Sequence, residues 1–371
     1  MKIVENYINS IIKKTETTMS GQNKICYPQK NTVLLKSKQQ LSSFKKTSRQ
    51  NRSFINTVRR ADNISIPKII FYTSSASGDY QLQSRAKGIP VAFWQSESYL
   101  NYLKSISPDE HNNLLNSSQN FTDSLEVEDI INATNENSSI KYPIDRSIIQ
   151  HNNNTFKEIL NCDDNHLIKA FNDFYTLIFK YGCFMDTHSE NLYFDKNKGF
   201  SFIDIEADNR SLDVSDTIGD VFKEFVNNYF DATPYEDIET RFLRGLIAKK
   251  SYYCFNNSKY CNSDSIKEIE TFDQHDLTIP TDQEYESLRI LSTSNPSDDK
   301  HKQSESFLKS MLGPDFNKDE IDTEFIFNYL DNHPEYDFKF NPKVKPVFEY
   351  ISINENDDST QTEDYSQTPE I

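Results

Sequence analysis

The stretch YGCFMDTHSENLYFDKNKGFSFIDIEADN, Tyr181 to Asn209, decides how this chain of 371 residues is read. Three polar residues stand out in it: Asp186, Asn191 five positions later, and Asp204 thirteen positions after that. Between the last two, Leu192-Tyr193-Phe194 and Phe200-Ser201-Phe202-Ile203 are short apolar runs. Asp195-Lys196-Asn197-Lys198-Gly199 joins them, which predicts a strand, a tight turn ending in Gly, and a returning strand. A hairpin of that length brings Asn191, at its entrance, back beside Asp204, at its exit, with Asp186 on the loop just before. The competing reading is a surface hairpin decorated with Asn and Asp, residues abundant in this chain. A lone Asp-x-x-x-x-Asn favours neither reading. Both spacings together, with Ile203-Asp204 closing an apolar strand, favour a site.

Two carboxylates and a carboxamide converging in this way suit phosphoryl transfer. One carboxylate orients the attacking group, while the amide and the second carboxylate hold Mg²⁺ on the phosphates of ATP. Catalysis is then positioning plus neutralisation of charge.

The stretch resembles the protein-kinase-like superfamily, and within it the aminoglycoside and choline phosphotransferases more than the ordinary protein kinases. The resemblance rests on Asp186-Thr187-His188-Ser189-Glu190-Asn191 and on Ile203-Asp204-Ile205-Glu206. Dehydratase domains of lanthionine synthetases carry a similar pair of motifs. Close resemblance covers about thirty residues, and Phe184 stands where the family usually has His. It implies an α+β, two-lobed kinase-like fold with a small β-rich N-lobe and a helical C-lobe. It further implies a catalytic Asp186, with His188 bonded to the catalytic-loop backbone, Asn191 and Asp204 on Mg²⁺, and Glu206 at a second metal position. ATP is the expected donor, and a hydroxyl of a protein or small molecule the acceptor. An inactive nucleotide-binding module is the alternative, as is transfer of another group such as AMP.

The charge is unevenly spread. The chain has a net charge of −17, but residues 1–60 hold 13 Lys and Arg against Glu5 and Glu16, a net of +11, which leaves −28 for the rest. An acidic body argues against nucleic-acid binding by the main domain. The basic head, with Lys45, Lys46, Arg49, Arg52, Arg59 and Arg60, suits an anionic partner or is a solvated tail. A mean hydropathy of −0.73 predicts a folded middle with disordered ends, although 26 Phe and 20 Tyr supply a real core. The five scattered cysteines form no Cys-x-x-Cys pair, so neither zinc nor a disulfide framework is expected. No apolar run approaches a membrane span and MKIVENYINSIIKK is no signal peptide. A soluble protein of the bacterial cytoplasm is expected. A kinase-like domain with a low-complexity head and tail also resembles effectors that bacteria inject into host cells.

In chain order, Ile3, Tyr7 and Ile11 predict a short amphipathic helix within a basic extension over 1–61. The kinase-like domain is expected over 62–335, with an N-lobe to about 149. Lys68 to Tyr72 and Tyr80 to Gln83 read as a hairpin. Its turn, with Ser77 and Gly78, is the candidate phosphate lid. Val91-Ala92-Phe93-Trp94 reads as a third strand at the position of the kinase Val-Ala-x-Lys, with Trp94 in place of the lysine. Lys68 and Lys87 are then the nearest substitutes, and Glu97 or Glu110 the acid that pairs with them. Ser96 to Ile106 is a helix, 107–139 a polar insertion, and 141–149 a strand and hinge. A strong helix from Asp163 to Tyr181 delivers the chain into the key stretch. Asp216 and Asp220 cap a helix over 217–230, where one of them braces the catalytic loop. Further helices follow, and the acidic segment 336–371 is expected to be extended and disordered.

Overall fold

The computed structural model describes residues 2–15, 18–20, 24–38, 42–75, 78–124, 142–207, 217–231 and 237–336. The expected class holds: the protein is α+β, with an antiparallel sheet towards its N-terminus and a helical C-terminal lobe.

Strands β1 (Met19–Ser20), β2 (Lys24–Pro28), β3 (Thr32–Ser37), β4 (Ile69–Ser75) and β5 (Gly78–Ser84) form one sheet in the order β1-β2-β3-β5-β4. Helix α1 (Lys2–Lys14) buries Ile8 and Ile11 against Tyr27, Leu34, Tyr80 and Leu82 of this sheet. Of the predicted helical stripe only Ile11 is inward, since Ile3 and Tyr7 are exposed. Helix α2 (Ser42–Ala61) packs on β4, and the Asn56 side chain clamps Ile69, donating to its carbonyl (2.8 Å) and accepting from its N–H (3.1 Å). Residues 24–61, expected as connectors of a basic extension, are therefore two strands and a helix of the sheet lobe. Their Lys- and Ser-rich composition hides an alternation in which Tyr27 and Leu34 turn inward, cross-strand partners whose neighbours are less buried.

The hairpin of β4 and β5 follows the sequence reading, but the third strand does not. Only Ile89–Pro90 is extended (β6), and it pairs with Phe194 and Tyr193 rather than with the N-terminal sheet. Gly88, at φ +85°, lies so close to the Phe194 carbonyl that a Cβ would sit 1.9 Å from its oxygen. Beyond it come α3 (Ser96–Ile106), α4 (Pro108–Ser124) and α5 (Tyr142–Leu160). The expected strand and hinge at 141–149 is thus helical over its described part. Asn152 of α5 holds the backbone of Phe93 through both its N–H (3.0 Å) and its carbonyl (3.2 Å).

Helix α6 (Asp164–Tyr175) starts on its predicted cap, Asp163, which accepts from the N–H of Asn165 (2.8 Å), and runs on as a π-turn to Lys180. Gly182, at φ +58°, ends it. With α7 (Ile218–Tyr229) and α8 (Ile238–Asn256), this helix builds a core dense in aromatic rings. Phe171 and Phe225 lie 4.6 Å apart between centroids, and Phe174 and Phe225 5.2 Å. Helices α9 (Ser263–Glu270), α10 (Asp282–Thr293), α11 (Asp299–Leu312) and α12 (Thr323–Asn332) complete the lobe. Among the described residues no helix is long and apolar enough to cross a membrane.

Candidate active site

Two short antiparallel ladders assemble the site. The predicted hairpin forms as β8 (Leu192–Asp195) and β9 (Gly199–Phe202), with Leu192 opposite Phe202. Its turn is held by Asp195, whose carboxylate accepts from the N–H groups of Asn197 (2.9 Å) and Lys198 (3.0 Å), and by Gly199 at φ +72°. The ladder extends one step outward, where Ile203 N–H donates to the Asn191 carbonyl (3.0 Å). The second ladder pairs β7 (Cys183–Met185) with β10 (Ile205–Ala207), Met185 facing Ile205. The next residues outward are Asp186 on one strand and Asp204 on the other. Asp186, Asn191 and Asp204 therefore meet at the open ends of two ladders.

The loop from 186 to 191 closes on itself. Asn191 Nδ2 donates to the Asp186 carbonyl (2.8 Å) and to His188 Nε2 (2.8 Å). Both amide hydrogens are thereby used on acceptors, which leaves Oδ1 as the free ligand atom of Asn191. His188 Nε2 also lies 3.5 Å from Asp186 Oδ2. Burial lowers the His188 pKa, while Asp186 and Asp204 pull it upward. A neutral imidazole accepts from Asn191 through Nε2, as the geometry requires, with its proton on Nδ1. His188 is thus a brace of the loop rather than a metal ligand. Asp204 has φ +54°, a left-handed conformation that costs free energy in a non-glycine residue and is fixed here by the ladders on either side.

The cation beside Asp204 comes from the N-terminal sheet: Lys24, at the start of β2, forms an ion pair with Asp204 Oδ1. Cys26 lies nearby on the same strand, its thiol pushed up to about 11 by burial while Lys24 pulls it down and Asp204 raises it further. The sequence reading missed Lys24 and placed the Val-Ala-x-Lys pattern at 91–94. That segment leads instead into α3, and Trp94 is half-exposed beside His188, ring centroids 6.3 Å apart. Val33-Leu34-Leu35-Lys36 on β3 carries the same spacing. In the structure, Lys36 lies over the Tyr80 ring, 5.9 Å from its centroid.

Other expected residues lie away from this cluster. Ser77 and Asp216 fall outside the described residues. Gly78 starts β5, two strand spacings (about 10 Å) from Lys24 in the sheet. Lys87 and Glu97 are exposed, and among the described residues neither bonds to the cluster or to the other. The backbone of Glu206 lies in β10, opposite Phe184. Thr217, not Asp216, caps α7, and the Asp220 carboxylate closes a capping box with Thr217 instead of reaching the catalytic loop. The brace comes one and two turns later on the same stripe. Thr187 donates to Glu224 (2.8 Å) and accepts from Asn228 (3.1 Å).

Glu190 anchors the loop from the other side, its carboxylate accepting from the N–H of Trp94 (3.4 Å). Burial pushes its pKa from 4.5 up to about 7, against bonds from Trp94, Ser98 and Gln95 that favour the ionised form. A carboxyl raised on folding contributes stability that is full below 4.5 and lost as pH rises to about 7. The melting temperature of wild type, measured against Glu190→Gln from pH 4.5 to 8, is therefore expected to fall relative to the variant up to about pH 7 and then run parallel. Parallel curves throughout would refute the assignment.

Among the described residues no cluster of three or more His, Cys, Asp and Glu can hold a metal. Asn191 Oδ1 and the Asp204 carboxylate fit a hard cation that takes only one or two protein oxygens and completes its shell with water and phosphate, as Mg²⁺ does.

No protein-family model matches the chain, and no curated protein does. Among solved structures, the GDP and kanamycin complex of APH(2")-IIIa is similar at 10% identity and a TM-score of 0.28, over 84% of this chain and 99% of that one. The GDP complex of a mutant aminoglycoside 2'-phosphotransferase IIIa is similar at 11% identity and a TM-score of 0.25, over 73% of this chain and 96% of that one. Both scores lie below 0.5, and the assignment of the site rests on its own geometry.

Proposed function

We propose that the protein is a phosphotransferase that moves the γ-phosphoryl group of ATP to a hydroxyl of a protein or small-molecule acceptor. The observation that carries this reading is the meeting of Asp186, Asn191 and Asp204 at the ends of two ladders, with the Asn191 amide turned so that its oxygen is the free atom. Mg²⁺, held by Asn191 Oδ1 and Asp204, supplies charge neutralisation on the phosphates. Asp186 orients the acceptor hydroxyl and takes its proton as the new P–O bond forms and the bond to the β-phosphate oxygen breaks. Lys24 leaves Asp204 for the phosphates when nucleotide enters, and Glu206 stands by for a second metal position.

The test uses γ-labelled ATP with Mg²⁺ and a panel of hydroxyl acceptors, the protein itself included. Wild type is expected to transfer label and Asp204→Ala to lose transfer; equal label from both removes Asp204 from the mechanism. Loss of a charge-assisted bond of about 1.5–3 kcal/mol predicts that Lys24→Met raises the KM for ATP roughly 10- to 100-fold. Should Lys36→Met have that effect and Lys24→Met none, the cation belongs to β3. Label from the α- but not the γ-position identifies AMP transfer. The Lys24–Asp204 ion pair also favours a second reading, a nucleotide-binding module without transfer, because it occupies a metal ligand. Stabilisation by nucleotide with no labelled product establishes that reading.

A further inference from the structure

The basic segment 42–61 is a helix on the sheet lobe, and it carries a cavity of its own. Helix α2 holds six Lys and Arg and no acid along its length. Arg52, Asn56 and Arg60 follow one another at four-residue intervals, so they share one face of the helix. That face, with Ser53 and Tyr72 of β4, lines a cavity of about 500 Å³. Asn56 is spent on the Ile69 backbone. Arg60 uses only Nε locally, on the Asn56 carbonyl (3.1 Å), which leaves both its terminal nitrogens. Neither arginine has a carboxylate partner among the described residues, and Asp62 close by is already bonded by Lys180 and Tyr181.

We propose that this cavity binds a phosphate monoester. Two guanidinium groups on Cα atoms about 12 Å apart along the helix, with the hydroxyls of Ser53 and Tyr72 between them, supply more donors than a carboxylate can use. A phosphate offers two charges and three acceptor oxygens, which match this set, and planar guanidinium binds it bidentately. The site has a route to the catalytic cluster. Helix α2 packs against β10, the strand that begins just after Asp204, and Ile55, Val58 and Ile205 belong to one core. Occupancy on α2 therefore biases the position of Asp204. The binding claim does not rest on the phosphotransferase reading.

Calorimetric titration of the full chain tests it with two probes: a hexapeptide with a central phosphoserine, and glucose 6-phosphate. At least one is expected to bind wild type and to bind Lys24→Met equally well, which separates this cavity from the cluster at Asp204. Arg52→Gln/Arg60→Gln is expected to weaken binding at least tenfold, and Arg52→Lys/Arg60→Lys, which keeps the charge but loses the fork, less so. Both arginines are exposed, and unchanged melting temperatures confirm that the variants fold. Tighter binding of the peptide identifies a phosphorylated polypeptide as the source, and tighter binding of the sugar phosphate a small molecule. The proposal is overturned if neither probe binds, if the Gln variant binds like wild type, or if the peptide with Glu in place of phosphoserine binds equally well.

Discussion

Asp186→Ala is expected to lower kcat by about 10²–10⁴, the range for loss of a positioned general base, with the melting temperature unchanged. The two effects separate because of how Asp186 is used. Its backbone carbonyl, not its carboxylate, holds Asn191 (2.8 Å). The carboxylate is 64% exposed and has as its neighbour the His188 ring, 3.5 Å away. Truncation therefore leaves the loop, the ladders and the metal ligands in place and removes only the group that receives the acceptor's proton. The binding of Mg–ATP, read as a shift in melting temperature, should persist in the variant. Asp186→Asn refines the result, since an amide can still orient a hydroxyl but cannot take its proton. If transfer depends mainly on orientation, Asn falls nearer wild type; if it depends on proton acceptance, Asn and Ala fall together. Transfer of label by Asp186→Ala at the wild-type rate would exclude the residue from the reaction.

What the sequence revealed and what it concealed follow from the range of the interactions concerned. The hairpin of β8 and β9 and the helix α6 were legible because their signals are local. Period-two runs around a turn ending in Gly199, and an apolar face starting at Asp163, need only neighbouring residues to be recognised. The N-terminal sheet was not legible, because its pairing is non-local. Lys24 and Asp204 are 180 positions apart, and nothing near either residue announces the other. The spacing Val-x-x-x occurs at both Val33 and Val91, and spacing alone chose the segment next to the recognised hairpin. Only the strand order shows that 91–94 leads into a helix while 33–36 lies within the sheet. The brace of the catalytic loop was misplaced by a smaller margin. Asp220 satisfies Thr217 at its own helix end, so the reach across to Thr187 falls to Glu224 and Asn228 further along the stripe. Acidic residues at a helix start have a local use, and that use was met first.

The largest effect on stability is expected from Phe174→Ala, about 3–5 kcal/mol as for other buried Phe truncations, with activity falling alongside. Phe174 is fully buried where α6, β9 and α7 meet. Its ring stacks on Phe202 (5.8 Å) and meets Phe225 (5.2 Å) and Tyr229 (5.6 Å) edge-on. Removing it opens a void among rigid rings that have no alternative rotamer to fill the space, so little of the lost contact is recovered. Phe202 is the last residue of β9, two positions before Asp204, and the strained backbone at Asp204 is held by the ladder that Phe202 anchors. A void beneath Phe202 therefore loosens the site as well as the core. Phe174→Leu keeps most of the volume and should recover the larger part of both properties. Urea unfolding measures the stability and label transfer the activity, with Met311→Ala, exposed at the surface, as the comparison expected to lie within about 0.5 kcal/mol of wild type. A loss below about 1 kcal/mol for Phe174→Ala would mean that these rings are not packed as described, and the support they give to Asp204 would fall with them.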